Sequence, residues 1–216
     1  MTSEVEICNL ALSNIRAGSI NSLNEASLPA QTCKLKYNII RDMLLTTMPW
    51  GFCHKIIALA VLETEVFSWS RAYQYPSDCL RINRLVGEQE QLLNSNDVSR
   101  FTDSQLFAIN NFRTKVPYEI FNFSNNKIIA ANEPNLRVDY IAAVTDPTLF
   151  PTTFVMAFSH LLASEIAIPI VGAENGRQLR NDSFAMYNQY LNSAMADDLN
   201  EQHADVAESE FINARR

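Results

Sequence analysis

The sequence predicts an α+β protein in which helices at both ends enclose a small antiparallel β region. Apolar residues recur at three- and four-residue spacing through the first fifty positions and again from Pro151. Between Trp50 and Val144 they instead alternate or run in short β-branched stretches. Of 216 residues, 47% are hydrophobic and 19% charged, with only 5 glycines, a balance that suits a packed chain and excludes wholesale disorder.

Ser3-Glu4-Val5-Glu6 has the form of a capping box, in which the Ser3 hydroxyl accepts from the Glu6 amide and the Glu6 carboxylate reaches back. Ile7, Leu10, Ala11 and Ile15 follow at helical spacing and Gly18 is read as the stop, giving a first helix of roughly 4–17. A polar turn, Asn21–Ser27, leads to a second helix that opens near Pro29, where proline suits the first turn. Cys33, Tyr37, Ile40, Leu44 and Met48 form its stripe, Lys34, Lys36 and Arg41 lie elsewhere, and Pro49 ends it. The short linker favours antiparallel packing of the pair.

From Trp50 the pattern changes. Lys55–Leu62 reads as a β-branched apolar strand, and Cys79–Val86, Tyr118–Phe123, Lys127–Ala131 and Leu136–Val144 as further strands. Ser124-Asn125-Asn126 supplies a hairpin. In the last strand Leu136, Val138 and Tyr140 share one face, and Arg137, Asp139 and Ile141 the other. These segments are expected to make one small antiparallel sheet. The polar segment Gly87–Lys115 interrupts them, with room for a short helix around Ser104–Asn110; a connection of this length is functional or mobile.

Helices return near Pro151. Phe154, Phe158, Leu161, Leu162 and Ile166 make a wide stripe, which Pro169 and Gly172 end. A last helix, about Asn175–Leu199, carries Leu179, Ser183, Met186, Tyr187, Tyr190, Leu191 and Ala194 along one side. The acidic tail beyond it has Phe211 and Ile212 as its apolar pair, too little to fold alone. The domain plan is a helical bundle from 1–50 and 147–199, a β domain over 51–146 with a long polar loop at 87–115, and an extended tail at 200–216.

The net charge of −7 disfavours a nucleic-acid grip or a polybasic membrane anchor outside a small local patch. MTSEVEICNL lacks the basic region and apolar core of a signal peptide. Apolar runs such as Ile56–Leu62 fall short of the ~20 residues of a spanning helix, so no membrane partner is expected. Cys8, Cys33, Cys53 and Cys79 form no C-x-x-C pair and read as free, mostly buried thiols of a reducing compartment.

No catalytic, cofactor or metal set stands out. Cys53-His54 is the one adjacent pair of ligand types, without a second pair at zinc spacing, and strand neighbours point to opposite faces. His160 reads as a hydrogen-bonded packing residue of a Phe- and Leu-rich helix, and His203 sits in the tail. Glu63 and Glu65 would share a strand face, as a glycosidase pair must share a cleft, yet surface acids near a turn are the simpler reading. No G-x-S-x-G elbow is present. Trp50, Trp69, Tyr73 and Tyr75 concentrate around the start of the sheet, where core filling outweighs a ligand-stacking platform.

Three ordered stretches carry a family likeness. The first is Glu6-Ile7-Cys8-Asn9-Leu10-Ala11-Leu12, with Met48-Pro49-Trp50-Gly51-Phe52 closing the second helix. The second is Tyr73-Gln74-Tyr75-Pro76-Ser77-Asp78-Cys79-Leu80-Arg81-Ile82. The third is Leu136–Val144 followed by Thr145-Asp146-Pro147-Thr148-Leu149-Phe150 and a Phe- and Ala-rich helix. Over about residues 4–199 the chain resembles the head-to-tail connector adaptors of short-tailed bacteriophages, also called tail tubular protein A. Gly87–Lys115 and most of the tail lie outside the likeness, apart from a closing Ala-Arg-Arg.

The resemblance implies a structural virion protein at the head–tail interface, assembled in the host cytoplasm. It implies a dodecameric ring below the portal protein and above the tail nozzle or tube protein, with no cofactor and no catalytic centre. DNA passes through such a ring during viral genome ejection without specific binding, and an acidic wall would repel it. On this reading Gly87–Lys115 projects toward a neighbouring subunit or the tail component. The tail docks the portal through Phe211, Ile212, Arg215 and Arg216. The competing classes are a tail-associated cell-wall glycosidase, which needs two carboxylates roughly 5–9 Å apart in a cleft, and a small binding module built on the aromatic residues.

Overall fold

The computed structural model describes residues 2–64, 66, 68–87 and 116–201. The expectations placed on 88–115, on Glu65 and on the tail residues His203, Phe211, Ile212, Arg215 and Arg216 lie outside them. The described residues form an α+β fold with helices α1 (Glu4–Asn14), α2 (Leu28–Leu45), α3 (Thr152–Val171) and α4 (Ala173–Glu201). The strands between them are β1 (His54–Ala58), β2 (Val61–Leu62), β3 (Arg71–Gln74), β4 (Cys79–Val86), β5 (Tyr118–Phe123), β6 (Asn126–Ala131) and β7 (Arg137–Ala142). The chain divides into two compact units. One is built from the described residues of Met1–Leu44, Trp50–Phe52 and Asp146–Arg216, the other from those of Leu45–Pro49 and Cys53–Thr145.

In the helical unit, α1 opens on the predicted capping box. Ser3 Oγ accepts from the Glu6 amide at 3.1 Å, and the Ser3 amide donates to Glu6 Oε2 at 2.8 Å. Ser3→Ala is expected to lower folding stability by about 1 kcal/mol, read as a shift of the urea midpoint. The helix stops earlier than Gly18 suggested. Arg16 takes the left-handed conformation (φ 59°), and the amides of Arg16 and Ala17 close on the carbonyls of Ser13 and Leu12. That is a Schellman ending with arginine where glycine is usual. α2 also ends early, before Met48: the Trp50 indole Nε1 donates to the Leu44 carbonyl at 3.1 Å and satisfies one of the last open acceptors.

α3 occupies the centre of this unit and is buried nearly all round, not along one stripe. α2 meets it through Tyr37 against Phe158, with ring centroids 5.0 Å apart, and α4 through Tyr190 stacked on His160. α1 reaches it through the Asn14 side chain, 3.2 Å from His160 Nδ1. Among the described residues α3 is the one helix long and apolar enough to cross a membrane, and 67% of its apolar window is buried in the protein. Such burial is that of a core helix. Polar interruptions at Ser159, His160, Ser164 and Glu165 hide this length from a search for unbroken apolar runs. The chain reverses into α4 at Gly172 (φ 92°), and α4 then closes on α3 at Gly176. A Cβ at Gly176 would stand 3.0 Å from the Ala167 carbonyl oxygen, backbone that cannot step aside.

The β unit holds two antiparallel sheets, not the single sheet expected: β1-β7-β4 and β2-β3-β6-β5. Lys55–Leu62 is accordingly not one strand. β1 pairs with β7, the Leu59 amide still donates to the Leu136 carbonyl at 2.8 Å, and β2 then joins β3 in the other sheet. β3 itself carries no alternation long enough to read. The β5–β6 hairpin turns at Ser124 and Asn125, both with positive φ, as the twist of a two-residue connection requires. Tyr73, Ile129 and Ala131 from one sheet and Leu85, Val138, Tyr140 and Ala142 from the other enclose the core of this unit.

Candidate functional site

The densest polar arrangement lies on the face of the three-stranded sheet opposite that core. Asp139 of β7 is 6% exposed and serves three donors. His54 Nε2 of β1 lies 2.7 Å from Oδ1, Asn83 Nδ2 of β4 donates to the same oxygen at 2.9 Å, and Arg84 Nε donates to Oδ2 at 3.2 Å. Burial works to raise the Asp139 pKa, but the hydrogen bonds from Asn83, His54 and Arg84 outweigh it and hold the carboxyl below the usual carboxylate range. A register shift in β4 between Ile82 and Arg84 places Asn83 and Arg84 on the same carboxylate. The linker Leu45–Pro49 touches this face, where Arg81 Nη1 donates to the Thr46 carbonyl at 2.7 Å.

A second network sits at the start of β4. Asp78 accepts from Lys55 Nζ at 2.7 Å and from the Tyr140 hydroxyl at 2.9 Å, while its carbonyl accepts the Ala143 amide at 2.7 Å. Desolvation raises its pKa, yet the bonds from Lys55 and Tyr140 bring it below the ordinary value. The stretch Tyr73–Ile82 is thus the joint at which the chain leaves β3 in one sheet and enters β4 in the other, with Asp78 as its pin.

The residues singled out in the sequence are dispersed. Cys53 is buried at the end of a one-turn 3-10 helix, whereas His54 begins β1 and turns to Asp139. Glu63 is exposed in a bend beyond β2 and lies on no strand face. The aromatic concentration is not one cluster. Trp50 is packed in the helical unit against Phe154, at 5.3 Å, while Tyr73 is buried in the β core and Tyr75 half-buried beside it. Trp69 Nε1 donates to Glu119 Oε2 at 3.1 Å. All four cysteines are free thiols, three buried and Cys79 half-buried. The Cys8 and Cys33 thiols hydrogen-bond each other, a contact that, with burial, raises the Cys8 pKa. His160 is buried as expected, and desolvation lowers its pKa. Arg41 is 6% exposed, inside the unit rather than on its surface, paired with Asp42 at 2.8 Å. Among the described residues no three His, Cys, Asp or Glu side chains gather as a metal set.

Two surfaces of the helical unit were not read from the sequence. α2 buries Cys33, Tyr37, Ile40 and Leu44, yet its other side exposes Leu35 and Ile39 by 69% and 65%, with Leu28 and Met43 in line. Between α1 and the start of α3 runs an open groove of about 590 Å³, floored by Leu10, Val155 and Met156 and edged by Glu6, Asn9 and Ser13. The signal for the first was present in the doubled apolar spacing of α2.

The fold places the chain among α+β proteins built of a helical unit and a β unit. Compared with known proteins, it matches no protein-family model and no curated sequence.

Proposed function

We propose that the chain is a structural subunit of a bacteriophage head-to-tail connector: a ring-forming adaptor that joins the portal to the tail and lines part of the DNA ejection channel. One observation carries the proposal. Helices from the two ends of the chain come together in one unit, with the β unit between them in sequence. That is the build implied by a resemblance resting on three short stretches. The second stretch, Tyr73–Ile82, supports it further, because it forms the sheet-to-sheet joint on which the β unit depends. The net charge of −7 per copy suits a channel along which DNA must slide without sticking. On this reading the protein acts by position, as a virion component with portal, tail and like-subunit partners, and carries no catalytic centre.

The test is to mix the full chain with portal rings of its own phage and view the product by negative stain. An added ring layer coaxial with the portal is the expected result. Protein that stays monomeric and leaves the portal rings unchanged would refute the proposal.

A further inference from the structure

We infer that Cys8 of α1 and Cys33 of α2 are a redox-sensitive pair, poised to close into a disulfide that pins α1 to α2. The inference is independent of the adaptor reading, since it needs only the fold of the helical unit.

Cys8 and Cys33 are the only cysteines of that unit, because Cys53 and Cys79 belong to the β unit. Both are fully buried, and their thiols hydrogen-bond each other across the seam between the two helices. A second rung of the same seam lies one turn away. Burial raises the pKa of Tyr37, one turn after Cys33, and the charges of Glu4, one turn before Cys8, and of Cys8 itself add to the rise. One turn back on α1 thus meets one turn on along α2, the step that antiparallel helices give. Helix register, and not a chance rotamer, holds the two thiols together.

A buried thiol reacts only when its cover opens. Two features weaken this seam. The Tyr37 hydroxyl is buried with no hydrogen-bond partner, which costs the closed seam free energy. On the opposite flank of α1 runs the open groove over Leu10, Val155 and Met156, so α1 is incompletely covered. Elements held by few buried contacts open locally. An external low-molecular-weight disulfide such as oxidised glutathione then supplies the chemistry. One thiol, as its thiolate, attacks that disulfide and expels a glutathione thiolate; the second attacks the mixed disulfide and expels the other. The cysteine pair gives up two protons and two electrons, and oxidised glutathione takes up both and leaves as two glutathiones. In a reducing compartment the pair stays open, and it closes once the folded chain meets oxidising surroundings.

The test treats the full-length reduced protein with oxidised glutathione under native conditions, then alkylates the remaining thiols and maps the peptides. The expected result is a linked Cys8–Cys33 peptide from a chain that still runs as a monomer on a non-reducing gel. The thermal midpoint of the helical unit should rise by about 5 °C or more, since the bond restricts the unfolded chain. Reductant should reverse the rise. Cys33→Ala should abolish both the linked peptide and the oxidant-dependent shift, and the wild-type map decides the matter even where that variant folds poorly. Folded protein from which Cys8 and Cys33 are both recovered as alkylated thiols would overturn the inference. So would separate glutathione adducts on the two, or a bond from either to Cys53 or Cys79. A linked peptide that lowers the midpoint would overturn it as well, because the bond would then form only by distorting the seam.

Discussion

Phe154→Ala is expected to lower the stability of the helical unit by about 3–5 kcal/mol, the usual cost of truncating a buried aromatic ring. Phe154 is fully buried. Its ring centre lies 5.3 Å from Trp50, 5.0 Å from Phe52 and 5.2 Å from Phe150, the first two in edge-to-face arrangement. Such pairs add to the transfer term, so the loss belongs near the upper part of the range. The cluster also joins distant parts of the chain. Trp50 and Phe52 follow α2, Phe150 precedes α3, and the Gly51 amide between them is held by Asp198 of α4 at 2.8 Å. The two tryptophans separate the readouts, since Trp50 belongs to the helical unit and Trp69 to the β unit. With Trp69→Phe in both proteins, urea unfolding followed through Trp50 should show the midpoint fall. A change within about 0.5 kcal/mol, the range of ordinary surface substitutions, would mean that the rings do not form this core.

What could be read in the sequence was local. The capping box at Ser3 and the Ser124-Asn125 turn are complete within a few residues, and both stand where expected. The ends of α1 and α2 were misread because their stops are made by other chemistry: Arg16 in a left-handed conformation, and the Trp50 indole on the Leu44 carbonyl. Lys55–Leu62 is apolar at almost every position, so no alternation marks where the chain leaves one sheet for the other. The same ambiguity hid the outward face of α2. Periodicity reports an apolar line but not which line faces the core, and Leu35-Ile39-Met43 repeats as well as Cys33-Tyr37-Leu44. Asp139 was assigned only to a strand face. Its partners His54 and Asn83 lie 85 and 56 residues away, and only strand register brings them together.

Asp139→Asn is expected to cost about 2 kcal/mol at neutral pH, within the range for hydrogen bonds made to a charged group. The substitution keeps size and shape, so no cavity forms. It replaces one carboxylate oxygen with an amide nitrogen that donates where Arg84 or His54 already donates, setting donor against donor at a side chain only 6% exposed. The pH dependence separates charge from geometry. The folded pKa of Asp139 is depressed, so its ionised form binds its partners more strongly than its neutral form. A depressed pKa contributes stability in full above the unfolded value of about 3.9. That contribution is lost as pH falls through the lower folded value. The stability gap between wild type and Asp139→Asn should therefore shrink as pH falls below about 4, on the same linkage. Asp78 and Asp146 are shifted the same way, but both proteins carry them, so they cancel in the difference. Urea unfolding through Trp69, with Trp50→Phe in both proteins, reads the gap in the unit that holds Asp139. A gap that persists undiminished at the lowest pH would show that the site depends on shape and not on the carboxylate charge. No gap at neutral pH would show that the His54, Asn83 and Arg84 contacts do not stabilise the sheet.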